Sequence, residues 1–209
     1  MRKLLLSLLC LTLVACATRN IEPGYALGRD QGKGLAVGSI TYLGGYSGYS
    51  IYYRSVATQQ QGRFQTGSGQ LLAPSFSTKD FSGADGAGRL IAAELEAGEY
   101  EIFLWQVASG AATVSPDAPF SIKFEVSPGE IVYFGNFNFE QTASFGLTVT
   151  GAAVSFNDRA ERDIGLFRQK YPNLAEFEVT AVIEPGASYD RLGGLSSTRW
   201  DIPVIVPVQ

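Results

Sequence analysis

The chain contains no histidine. Ser–His–Asp and Cys–His nucleophilic sites are therefore excluded. Zinc and copper centres built on imidazole are excluded with them. Cysteine is nearly as scarce, with only Cys10 and Cys16, both close to the N-terminus. No disulfide can staple the body of the protein and no thiolate metal site can form in it. Stability has to come from a hydrophobic core, which 209 residues are enough to build in a single domain. Positive charge is in deficit, 16 Lys and Arg against 20 Asp and Glu, for a net charge of −4. An acidic chain gains nothing by approaching nucleic acid or anionic headgroups, so no nucleic-acid partner is expected. No cofactor and no metal are expected either.

The N-terminus carries the clearest signal. Met1-Arg2-Lys3 is a short basic start, and Leu4 to Ala15 is apolar apart from Ser7 and Thr12. That run is too short to cross a bilayer, which takes about 20 residues. Residues 1–15 have the layout of a secretory signal peptide. They end in Leu13-Val14-Ala15-Cys16, which resembles the lipobox of bacterial lipoproteins. In that family the Cys receives a diacylglycerol thioether, the signal peptide is cut just before it, and the new amino group is acylated. The resemblance implies lipid attachment at Cys16 and membrane association through that lipid. Cys10 follows Leu9, too large for the small-residue cleavage site. Several acyl chains also make sense as an anchor, because one alone binds a membrane only marginally. Ala17 follows in place of Asp, which in the same family implies the outer membrane, facing the periplasm. Ala17 to Lys33 is polar with Gly24, Gly28 and Gly32. Residues 16–33 therefore read as a lipidated tether.

Two runs in the middle of the chain set the fold. Phe120, Ile122, Phe124 and Val126 alternate with Ser121, Lys123, Glu125 and Ser127. That is period two, with one face buried and one wet. A slip of one residue would bury Lys123 and Glu125, so the register is well specified. Tyr100 to Val107 is apolar on both sides, as expected of a central strand covered on both faces. Each run contains a Gly turn, Ala97-Gly98 in one and Pro128-Gly129 in the other. Both suit a type II turn, in which Gly supplies φ > 0. Type II turns oppose the twist of a two-residue hairpin. These turns are thus expected to be arches that carry the chain from one sheet to the other.

Further strands are expected at Leu35 to Tyr42, with Leu35, Val37 and Ile40 inward, and at Tyr49 to Val56. Phe145, Leu147 and Val149 alternate as another half-buried strand, and Phe177 to Ile183 is a candidate. Phe64, Leu71, Leu72, Phe76 and Phe81 suffice to dock the undecided stretch from Thr58 to Gly88. Ser82 to Gly88 is glycine-rich but lacks the Gly-Lys-Ser/Thr ending of a phosphate loop. Asp80 and Asp85 lack the spacing of a calcium loop. One helix is expected over 158–171. Asp158 and Glu161 suggest a capping box, Ala160, Ile164, Phe167 and Tyr171 share a face, and Pro172 ends it. Arg159, Arg162, Asp163, Arg168 and Lys170 read as its solvated side. Gly186 to Thr198 reads as loop, and Pro203 and Pro207 confine the end of the chain to an edge strand or a tail.

The sum is a mainly-β protein, an antiparallel β-sandwich of about seven to nine strands with one amphipathic helix. The sandwich domain spans 34–183, and 184–209 is a C-terminal tail or edge strand. Ala97-Gly98-Glu99-Tyr100, the segment from Phe120 to Glu130, Tyr133-Phe134-Gly135 and Asp158 to Asp163 together resemble bacterial envelope lipoproteins that carry a sandwich domain of unassigned function. The turn into Tyr100 is also similar to those of transthyretin-like and carboxypeptidase-regulatory-like sandwiches. The resemblance implies no catalytic residues.

Three functions follow as expectations. The favoured one is a non-enzymatic, membrane-anchored envelope lipoprotein that binds a protein partner or has a structural role; it predicts an exposed apolar surface or strand edge. The alternative is a glycan-binding module on the Tyr42–Tyr53 hairpin, with Tyr46, Tyr49 and Tyr52 stacking on sugar rings. A third is carboxylate hydrolysis by the acids crowded around the first turn, Glu94, Glu96, Glu99 and Glu101.

Overall fold

The computed structural model describes residues 17–45, 47–69, 79–83 and 86–201. The expectations placed on the signal peptide, Cys16, Tyr46, Leu71, Leu72, Phe76 and the residues beyond 201 lie outside that set.

Twelve strands and one helix order the described chain. They are β1 (Lys33–Leu43), β2 (Gly48–Ser55), β3 (Gln61–Thr66), β4 (Ala87–Glu96), β5 (Gly98–Ser109), β6 (Ala112–Pro116), β7 (Ile122–Val126), β8 (Ile131–Phe145), β9 (Thr148–Asn157), α1 (Ala160–Lys170), β10 (Val179–Ala181), β11 (Ser188–Tyr189) and β12 (Ser196–Trp200). One sheet runs β11-β9-β8-β1-β4 with β10 beside β8. The other runs β12-β6-β5-β2-β3 with β7 beside β5. The fold is the expected mainly-β sandwich with one helix. Its strand count exceeds the expectation in part because the C-terminal segment adds the short β11 and β12. Nor is the first sheet purely antiparallel, since β1 and β10 both run parallel to β8.

Both glycine turns are arches. β4 lies in the first sheet and β5 in the second; β7 lies in the second and β8 in the first. In the turn before β8, the Glu130 N–H donates to the Ser127 carbonyl at 3.2 Å and Gly129 has φ 70°, as a type II turn requires. The chain thus changes layer where its turn geometry cannot close a hairpin.

The strand covered on both faces is β1, not β5. β1 sits between β4 and β8, and every residue from Gly34 to Thr41 is buried. Gly38 faces Phe134 in the space between the sheets, and a Cβ there would lie 2.3 Å from that ring. Ser39 points the other way, to α1. β5 is also central, but its outer side is only half covered: Phe103 is half-buried under the Arg54 guanidinium, 4.8 Å from the ring centre. A bulge opposite Tyr52 and Tyr53 shifts its alternation, so Ile102 and Trp105, three residues apart, are both fully buried. Leu104 is left half-buried. The core is aromatic. Phe134 stacks on Phe64 at 5.2 Å and Trp105 meets Phe139 edge-on at 6.1 Å.

The single strand expected to carry Phe145, Leu147 and Val149 inward is instead the tip of the β8–β9 hairpin. Gly146, at φ 59°, turns the chain, and Phe145 and Leu147 are 78% and 85% exposed while Val149 is buried.

Ala17 to Lys33 departs from the tether expected of it. Ala17 bridges to Arg63 in β3, and the Thr18 N–H donates to the Arg63 carbonyl at 2.8 Å. Asn20 clamps β4: its Nδ2 donates to the Leu90 carbonyl and its Oδ1 accepts from the Ala92 N–H. β3 and β4 are the edges of opposite sheets, so the segment satisfies unpaired backbone groups on both. Ile21, Tyr25 and Leu27 pack against the core. The C-terminal segment closes the opposite seam. β12 pairs with β6, Ser196 accepts from the Ala152 N–H of β9, and Leu192 joins β9 to the Trp105 ring, its N–H donating to the Val154 carbonyl and its own carbonyl accepting from Nε1, both at 2.7 Å. β12, Ser196–Trp200, begins within the stretch expected as loop and is the edge strand of the second sheet.

The fit of Gly38 against Phe134 is testable. Gly38→Ala should cost about 1–3 kcal/mol in urea unfolding, as overpacking does. Combining it with Phe134→Leu should cost less than the two single losses added together, because the ring that the new methyl meets is gone.

Candidate functional site

α1 lies across the outer face of the first sheet, and its placement creates the site. The Asp158 carboxylate starts the helix. Its Oδ1 accepts from the Ala160 N–H at 2.9 Å and its Oδ2 from the Gly186 N–H at 2.8 Å. Arg159, not Asp158, holds the capping position, so the expected capping box with Glu161 does not form. At the far end, Lys170 pairs with Asp80 at 2.8 Å, and the other Asp80 oxygen accepts from the Leu90 N–H of β4. Phe167 is fully buried against the sheet.

Asp163 is fully buried as well, which corrects its assignment to the solvated side. Residues 160, 163 and 167 fall on one stripe of a helix, so a charge at 163 must face the sheet whenever Phe167 does. Its oxygens are all occupied. Oδ2 accepts from Ser39 Oγ at 2.6 Å and from the Tyr133 hydroxyl at 2.8 Å. Oδ1 accepts from Arg162 Nε at 2.9 Å and lies 2.8 Å from Arg162 Nη2. The network continues outward: Asn136 Nδ2 donates to Ser39 Oγ and to Thr41 Oγ1, and Thr41 Oγ1 donates to Asn138 Oδ1 at 2.9 Å. Burial pushes the Asp163 carboxyl above its ordinary range, against the pull of Arg162 and the bonds from Ser39 and Tyr133. The Tyr133 phenol is pushed up in turn, first by burial and then by the charge of Asp163.

Beside this network is a cavity of about 150 Å³, lined by Thr41, Leu43, Asn136, Asn138, Asn157, Arg159 and Arg162. None of these residues is acidic. The parallel pairing of β1 with β8 sets Thr41 against Asn138, and the antiparallel pairing of β8 with β9 sets Asn136 against Asn157. The site has hydrogen-bond donors and acceptors and two cations on a rigid frame. Asp163 is enclosed and touches nothing in the cavity directly; it orients Arg162.

The sites expected from the tyrosine hairpin are not brought together. Tyr49 is fully buried, stacked on Tyr42 at 4.4 Å and edge-on to Phe139. Its hydroxyl donates to the Gly45 carbonyl and accepts from Gln141 Nε2, and burial raises its pKa to about 12. Tyr52 is half-buried on the opposite side of β2, bonded to Gln106 Oε1 at 2.8 Å. Strand alternation separates the two rings, so a shared stacking platform is ruled out for them. Tyr46 and Cys16 lie outside the described residues.

The acids of the first turn are ion-paired. Glu94 is held by Lys33 at 2.7 Å and by the Tyr25 hydroxyl, and the bond from Lys33 leads in lowering its pKa. Glu101 is lowered by the bond from Ser121 and then by Arg54, 2.6 Å away. Glu99 pairs with Lys123 at 2.9 Å. A cleft of about 310 Å³ contains Glu94 and Glu96, with Lys33 between them. A general acid for glycoside cleavage needs a raised carboxyl, and Glu94 and Glu101 are shifted the other way.

The fold and site define a β-sandwich with a helix laid over one sheet and a small acid-free polar cavity at their junction. No protein-family model matches the chain, and no curated protein or solved structure matches it either.

The raised carboxyl of Asp163 gives a signed pH dependence. The folded chain holds a proton at Asp163 more readily than the unfolded chain, so this group's contribution to stability falls as pH rises through the interval between the two pKa values. Arg162→Ala removes the main influence that narrows that interval. The variant should lose about 3–5 kcal/mol at pH 7, the usual cost of stranding one member of a buried pair. It should recover part of that loss relative to the unmutated protein on acidification to about pH 5. Unfolding free energies measured at both pH values check this, and a pH-independent difference contradicts it.

Proposed function

We propose that this is a lipid-anchored protein of the bacterial outer membrane, facing the periplasm, which acts by holding a ligand or a protein partner and not by catalysis. The observation that carries the proposal is the lipobox-like Leu13-Val14-Ala15-Cys16, followed in the sequence by Ala17, which is bridged to Arg63 of β3. On this reading, a lipid on Cys16 is followed directly by chain that is bonded to β3.

Binding without catalysis is supported by the state of the carboxylates. Asp163 is enclosed and fully hydrogen-bonded, and Glu94 and Glu101 are committed to cations. The β8–β9 tip, with Phe145 and Leu147 largely exposed, is the kind of apolar surface expected where a protein partner is met.

Cys16→Ala, expressed in a bacterial host fed a labelled fatty acid, should take up no label and accumulate as unprocessed precursor. The unmutated chain should be labelled and fractionate with the outer membrane. Continued labelling of the variant refutes lipidation at Cys16.

A further inference from the structure

We propose that the cavity at the junction of α1 and the first sheet is a binding site for a small oxyanion, a carboxylate or a phosphate. The inference deepens the binding function proposed above and rests on it.

The chain as a whole carries more acids than bases, yet the cavity is lined by two arginines and no acid. Arg162 is held in place from three sides. Nε and Nη2 are engaged by Asp163, Nη2 also reaches Ser39 Oγ at 3.1 Å, and the guanidinium carbon lies 4.2 Å from the centre of the Phe81 ring. Arg159 joins no ion pair among the described residues. Of the other acids at this end of α1, Asp158 is spent on the N–H groups of Ala160 and Gly186, Glu161 is exposed, and neither lines the cavity. Asp163 offsets one of the two arginine charges, leaving one for a ligand. Guanidinium groups match the flat fork of a carboxylate and the edge of a phosphate, and they are the side chains best suited to both.

Size and neutral partners agree with that charge. About 150 Å³ holds roughly five waters at 30 Å³ each, or a ligand head of several heavy atoms. Asn138, Asn136 and Thr41 border the same space and are fixed by one another, so their orientation needs no ordering when a ligand arrives. Asn136, buried in the middle of β8, is costly there unless bonded, and it spends its amide nitrogen on Ser39 and Thr41. The polar frame is thus built and rigid before any ligand is present.

The test uses the full chain, purified in a non-ionic detergent. Sodium acetate and sodium phosphate are titrated separately against sodium chloride at matched ionic strength, following the thermal midpoint and the heat of binding. A saturable response to acetate, to phosphate or to both, absent with chloride, supports the site and identifies its anion. Arg159→Ala, which removes an exposed side chain with no ion pair, should keep the ligand-free midpoint and weaken the response roughly tenfold or more. Asn138→Ala should weaken it as well. No saturable response to either anion overturns the proposal, and so does a response that Arg159→Ala leaves unchanged. Protein that is acylated at Cys16 but indifferent to both anions refutes the oxyanion site alone and leaves the lipid anchor standing.

Discussion

One enclosed carboxylate decides how the outer layer of this protein is arranged. Asp163 has no exposure, and it is bonded to β1 through Ser39, to β8 through Tyr133 and to its own helix through Arg162. A charge in that position is costly unless every lone pair is met. The helix therefore has one seat on the sheet, the one in which all these donors converge. Arg162 is aimed by the same bonds. The cavity beside it follows from that aim, since its wall is the outer surface of the same network.

The rest of the architecture solves the problem of edges. A sandwich has two open seams, and here a terminal segment lies along each. The chain from Ala17 to Ile21 bonds to β3 and β4, and the chain from Leu192 to Trp200 bonds to β6 and β9. Both arches change sheet at glycine turns, so strands adjacent in sequence are placed in different layers. That leaves β1 flanked by strands far away in the chain, β4 on one side and β8 on the other. Its run of small residues, with Gly38 against Phe134, is what lets the two layers close on it.

Local pattern revealed a good part of this and missed what depends on distant pairing. The alternation in β7 placed Phe124 and Val126 inward and Lys123 and Glu125 outward, as the structure has them. Pro128-Gly129 announced an arch, and Pro172 the end of the helix. The common burial of Ile102 and Trp105 was not legible, because a bulge, set by the partner strand β2, shifts the alternation within β5. The N-terminal segment looked like a tether because it is polar and glycine-rich; its backbone groups and the Asn20 side chain bond to edges some 45 to 75 residues away, which no local period reveals. The site was the least legible part. Its walls come from residues near 41, 136 and 160, joined by the parallel pairing of β1 with β8 and the antiparallel pairing of β8 with β9. Two signals were present: Asp163 shares a helical stripe with Phe167, and Asn136 and Asn138 alternate with Phe137 and Phe139 in a strand apolar on its other side.

The strap along the first seam also determines how the protein answers to mechanical load. Tension applied at residue 17 is delivered first to the backbone bond that joins Thr18 to Arg63 of β3. The Ile21 N–H bond to the Ala92 carbonyl and the Asn20 clamp on β4 take the load next. The aromatic interior sits behind them and feels the pull only after they give way, which makes the seam the fuse of the molecule.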